Sequence, residues 1–145
     1  GMIPHHEQAL EMTALVPDRT EDSGFRRLAL RMEISQKDEI ALMERWLLSR
    51  GESVRMAAHE GARPLMPGML TVEQMADLEA ATGIEFERRF LRDMIQHHEG
   101  ALTMVGQLFA TTGAGQESEV FQFANDVDVD QRMEIARMQR MLEQR

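Results

Sequence analysis

Apolar residues recur at intervals of three and four along most of this chain, and polar turns separate the runs. That spacing puts them on one face of an α-helix. One stripe is Phe25, Leu28, Met32, Met43, Trp46 and Leu47; another is Phe90, Leu91, Met94, Ala101, Leu102, Val105, Leu108 and Phe109. The last is Val120, Val127, Met138, Met141 and Leu142. Long helices are predicted over about 2–16, ended by Pro17, and about 22–50, stopped by Gly51. Two more are predicted over about 84–111 and from about 117 to the end. Thr71-Val72-Glu73-Gln74 reads as a capping box that opens a short helix to about Thr82, broken by Gly83. The expected fold is therefore all-α: a four-helix bundle built from two repeated helical hairpins, with a short extra helix in the crossover. One domain, 1–145, is expected, with repeat one over about 2–50, the connection over about 51–83 and repeat two over about 84–145.

Polar residues interrupt these stripes in a patterned way. At 100° per residue, His98 falls within about 20° of the middle of its apolar face, while Glu99 points outward. His97 lies about 80–90° away, on a flank shared with Met104. By alignment His6 is inward and His5 flanking. Gln36 and Glu39 fall within about 35° of the centre of their stripe, as Gln131 and Glu134 do in the last helix. A carboxylate there must be protonated, paired or bound to a cation. A buried layer of His6, His98, Gln36, Gln131, Glu39 and Glu134 is expected, and a His–Glu pair across helices satisfies both partners.

The pattern is duplicated. Met2-Ile3-Pro4-His5-His6-Glu7-Gln8-Ala9-Leu10-Glu11-Met12 recurs as Met94-Ile95-Gln96-His97-His98-Glu99-Gly100-Ala101-Leu102-Thr103-Met104, with 8 of 11 positions identical at an offset of 92. The stretch Gln36–Leu47 recurs as Gln131–Leu142, with 7 of 12 identities at an offset of 95. The second copy has Phe90-Leu91-Arg92-Asp93 ahead of its Met94, whereas the first has only Gly1, which reads as a cloning scar or a processing edge.

Composition narrows the chemistry. With 25 acidic against 16 basic residues and a formal charge of −9, the chain lacks the basic stripe that nucleic acid requires. No apolar run approaches the ~18–20 residues that span a bilayer. Cysteine is absent, which removes disulfides, zinc–thiolate sites and iron–sulfur clusters; methionine is abundant, at 13. Imidazoles beside thioethers point to a metal ion, and soft thioethers suit copper(I). The candidate metal ligands are His5, His6, His97 and His98 with Met2, Met12, Met94 and Met104. Packing is the competing use of the methionines. His59 with Met66 and Met69 forms a weaker candidate, and Asp126, Asp128 and Asp130 read as a solvated helix face. A di-iron oxidase is disfavoured, because no His has Glu three residues before it or four after it. A metal-free helical module that binds a protein through its methionines stays open.

These motifs resemble the bacterial family known as domain of unknown function 305, whose units carry Met-Ile-x-His-His-x-x-Ala-x-x-Met. Both copies match, and Met66-Pro67-Gly68-Met69-Leu70-Thr71 with Glu73-Gln74-Met75 is similar to the family's inter-repeat signature. The resemblance covers nearly the whole chain. It implies a ferritin-like bundle and an exported bacterial protein, secreted, periplasmic or in the cell envelope. It also implies kinship with copper-binding proteins of copper tolerance, here a non-enzymatic protein that sequesters or carries copper. The absence of Cys agrees with an oxidising compartment.

Overall fold

A computed structural model describes residues 1–51, 66–110 and 118–145. The helices are α1 (Met2–Ala14), α2 (Val16–Arg19), α3 (Ser23–Ser49), α4 (Val72–Ala80), α5 (Gly83–Ala110) and α6 (Ser118–Glu143). No strand occurs among the described residues. Pro17 does not simply end the first helix: the chain restarts at once as α2, with the proline in the first turn, where a missing N–H costs nothing. Asp22 caps α3 by accepting from Phe25 N at 2.9 Å. The expected capping box at α4 forms in both directions between Thr71 and Gln74. Gly83 starts α5 with φ +60°, the left-handed conformation that separates it from α4.

Helix α1 packs on α3, α5 packs on α6, and α1 packs on α5. Met12 lies in one apolar cluster with Phe86 and Phe90 from the start of α5. Met2 lies in a second cluster, with Val105 and Leu108 from its end. The two helices therefore run antiparallel. The first cluster is the larger. Phe25 meets Phe86 and Phe90 edge-on, at centroid distances of 6.2 and 5.2 Å. Arg145 closes this end: its guanidinium sits 5.6 Å from the Phe25 centroid and donates to Glu87 at 2.8 Å. Thr20 donates to the other Glu87 oxygen at 2.6 Å. The buried carboxylate thus has two donors.

The connection returns across α1 and α5 as a strap over residues 66–71. The Gln8 amide donates to Leu70 O at 3.0 Å and accepts from Leu70 N at 2.8 Å. Gly68 adopts φ +77°, and its α-carbon touches Gly100: a Cβ on Gly100 would stand 2.0 Å from Pro67 O. Only glycine fits there.

A buried histidine layer as the candidate functional site

Both copies of the His-His motif lie where the hairpins meet, and their contacts correspond. His6 Nε2 is 2.6 Å from Glu39 Oε1, and His98 Nε2 is 2.5 Å from Glu134 Oε1. All four residues are buried, with Gln36 and Gln131 beside them. The inward positions expected for His6, His98, Gln36, Gln131, Glu39 and Glu134 are thus observed, and each His takes the Glu as partner.

The flanking positions expected for His5 and His97 are not observed. Both are buried, at 1% and 2% exposure. A flank that is open on a single helix is covered in the bundle, because the flank of α1 lies against the flank of α5. There the two rings face each other, with centroids 3.9 Å apart and planes at 33°. The result is a row of four imidazoles across the bundle. His5 and His6 centroids are 6.5 Å apart, His97 and His98 centroids 6.3 Å, and each outer ring ends on a Glu.

Hydrogen bonds fix the protons. Burial pushes the His5 imidazolium down to about 4, against the smaller opposing effect of the Pro67 carbonyl. Its Nε2 lies 2.8 Å from that carbonyl, which only accepts, so the neutral ring carries its proton on Nε2. Nδ1 is a buried lone pair without a partner. Burial also holds His97 well below its ordinary value, with repulsion from His5 next in size. The His5 backbone raises it in part, and Nε2 is buried without a partner. His97 Nε2 is the second bare nitrogen.

His6 is different. Its Nδ1 donates to Met2 O at 3.0 Å, which leaves Nε2 an acceptor in the neutral ring. Burial lowers His6 to about 4, and burial together with the neighbouring Asp130 raises Glu39 to about 9. The pair is a neutral hydrogen bond with the proton on Glu39, not an ion pair. Asp130 was expected on a solvated face with Asp126 and Asp128. It is instead half-buried against Glu39, while Asp128 pairs with Arg132 at 3.0 Å.

The methionines divide. Met12 and Met94 are fully buried in the larger apolar cluster, Met2 packs in the smaller one, and Met104 is half-buried. Met66 and Met69 belong to the strap, and His59 lies outside the described residues. Among the described residues, no three His, Asp or Glu side chains converge on one point. Pro67 O takes part through its backbone, so no residue type marks it in the sequence. Ser35 and Asp130 do carry a signal, because they stand 95 apart, each directly ahead of the Gln of its repeat. Ser35 Oγ donates to Glu134 Oε2 at 2.9 Å, and Asp130 adjoins Glu39.

A helical bundle with a duplicated His-His motif at the seam of its hairpins defines the class. The family described as Domain of unknown function (DUF305) matches residues 1–142, and the chain belongs to it. A DUF305 fragment from Deinococcus radiodurans is 31% identical, with a TM-score of 0.83 over 99% of this chain and 91% of that one. A DUF305 protein from Streptomyces coelicolor is 30% identical, with a TM-score of 0.84 over 99% and 88%. CopM in its Cu(II)-bound form shares the fold at 24% identity, with a TM-score of 0.78 over 99% and 91%. Among curated proteins, the uncharacterized protein L153 of Acanthamoeba polyphaga mimivirus is 45% identical over 40 residues. That match spans 28% of this chain and only 26% of L153. No helix among the described residues is long and apolar enough to cross a membrane.

Proposed function

We propose that this protein binds copper without catalysing a reaction, and that His5 and His97 supply the first nitrogens. The observation that carries this reading is the pair of bare ring nitrogens, His5 Nδ1 and His97 Nε2, in facing imidazoles that burial keeps neutral. A neutral imidazole offers its lone pair at pH 7 with no proton to displace. Met2 and Met94 stand three residues before these histidines, one helical turn away, and supply thioethers. His6 and His98 orient the layer from either side, and Met12 and Met104 line the same helices. Zero Cys and soft donors favour copper(I) over zinc or iron. CopM of the same fold is known in copper(I)- and copper(II)-bound forms. Export to the periplasm, cell envelope or medium belongs to the same reading; the Streptomyces coelicolor relative carries the name of a secreted protein.

Anaerobic titration with a competing copper(I) chelator tests it. The wild type should compete, and zinc should displace little. The His5→Gln/His97→Gln variant, which keeps side-chain volume, should lose most of its capacity while its far-ultraviolet circular dichroism stays unchanged. Full capacity in that folded variant would remove these ligands from the site. A wild type that never competes would leave a metal-free interaction module.

A further inference from the structure

The seam between α3 and α6 carries two related sets of positions that differ in charge. In the first set, Asp38 and Glu39 of α3 and Asp126 and Asp130 of α6 line a cleft of about 300 Å³. Leu42 and Phe123 supply apolar wall, and no Lys or Arg stands among the described residues that line it. Glu39 is 5% exposed, and its Oε2 is buried without a hydrogen-bond partner. The group beside it is the Asp130 carboxyl, a second acceptor. An offset of 95 gives the other set: Met133 for Asp38, Glu134 for Glu39, Arg31 for Asp126, Ser35 for Asp130 and Arg137 for Leu42. There the Ser35 hydroxyl donates to Glu134 Oε2 at 2.9 Å. The chain thus gives one buried carboxyl a donor and places two cations at the related positions. It leaves the other carboxyl among acids.

We infer that the cleft binds a free aliphatic dication whose guanidinium head donates to Glu39 Oε2 and Asp130. A guanidinium supplies the missing donors in pairs, in a planar fork that matches carboxyl oxygens. It is also the group that the second repeat places at the related positions. An alkyl stem lies well against Leu42 and Phe123. Asp38 and Asp126 are solvent-exposed on the same cleft and suit a second positive end. A hard divalent metal fits less well, since it wants several oxygens around one point. Among the described residues no three acidic or imidazole side chains converge in that way. Neither His5 nor His97 lines the cleft, so the inference is independent of copper binding.

Agmatine, an alkyl stem with a guanidinium at one end and an ammonium at the other, is the probe. It is titrated into the full chain at low ionic strength by isothermal titration calorimetry, and one saturable site is expected. Asp130→Ser and Asp126→Arg each give the cleft the residue of the second repeat, and each should weaken binding at least about tenfold. Asp126 is exposed, so its variant keeps the fold and the test stands even if Asp130→Ser does not. Glu11→Arg makes the same charge change at an exposed position outside the cleft and should alter affinity by no more than about twofold. N-acetylarginine methylamide has the same head without the second charge and should bind more weakly. No saturable binding, or unchanged affinity in the folded cleft variants, would overturn the inference. An equal loss in Glu11→Arg would do so too, by reducing the effect to net charge. Binding of N-acetylarginine methylamide as tight as that of agmatine would give the cleft to an Arg side chain of another protein. Magnesium or calcium ions binding more tightly than agmatine would give it to a metal.

Discussion

The His6–Glu39 and His98–Glu134 pairs look alike and are not. Glu134 faces His98 at one oxygen and accepts from the Ser35 hydroxyl at the other. Glu39 faces His6 at one oxygen, but its second has no donor, because the residue corresponding to Ser35 is Asp130. The backbone tie also differs: His6 Nδ1 is anchored on Met2 O, whereas His98 Nδ1 is unpartnered. One pair is held from the carboxyl side and the other from the imidazole side. A repeated motif therefore fixes which side chains meet, while the residue behind them decides how each carboxyl group is held.

Removing each carboxylate should give a large effect and expose the asymmetry. Glu134→Ala strands His98 and takes from the Ser35 hydroxyl its shorter acceptor, leaving only Met32 O at 3.2 Å, and should cost about 2–3 kcal/mol; Glu39→Ala strands only His6 and relieves Asp130, so it should cost about 1–2 kcal/mol. Urea denaturation of the two variants checks the order, and equal losses would erase the distinction. A smaller effect is expected from making the pairs alike. Asp130→Ser gives Glu39 the hydroxyl donor that Glu134 has and should stabilise by about 0.5–1.5 kcal/mol.

The same pair also shapes the pH profile. Glu39 is raised from 4.5 to about 9, so between those values the folded state holds a proton that the unfolded state has released, and stability falls as pH rises. His5 and His6, lowered from 6.5 to about 4, act oppositely: stability rises with pH between about 4 and 6.5. The histidine contributions are complete by about 6.5, which leaves the decline from Glu39 toward pH 9. Glu39→Gln should flatten that alkaline limb and steepen the rise between about 4.5 and 6.5, where Glu39 opposes the histidines, as read from melting temperature against pH.

Much of this was legible in the sequence. The helix boundaries followed from periodicity and caps, and the buried Glu39 and Glu134 followed from carboxylates at the centre of apolar stripes. The inter-hairpin positions of His5 and His97 were not legible, because a wheel describes one helix and says nothing of what covers its flank. The repeat also held unread information in its departures. Of the three mismatches in the 11-residue motif, the pairs Pro4/Gln96 and Gln8/Gly100 concern the strap. Gln8 bonds Leu70, Gln96 donates to Gly68 O at 3.4 Å, and Gly100 gives Pro67 and Gly68 room. Identity marks the shared layer, and difference marks where a single strap crosses it.

That crossing bears on self-recognition. Two nearly equivalent hairpins share one seam, so the first hairpin of one molecule is a competent mate for the first hairpin of another. The strap discriminates between these arrangements, since it needs a glutamine on one side and a bare α-carbon on the other, which only unlike hairpins provide. Gly100→Leu sets a side chain against Pro67 O and removes that discrimination. The variant should populate dimers with exchanged hairpins at raised concentration, and sedimentation velocity beside the parent reads this directly; a variant no more associated than the parent would mean that the seam alone selects its mate.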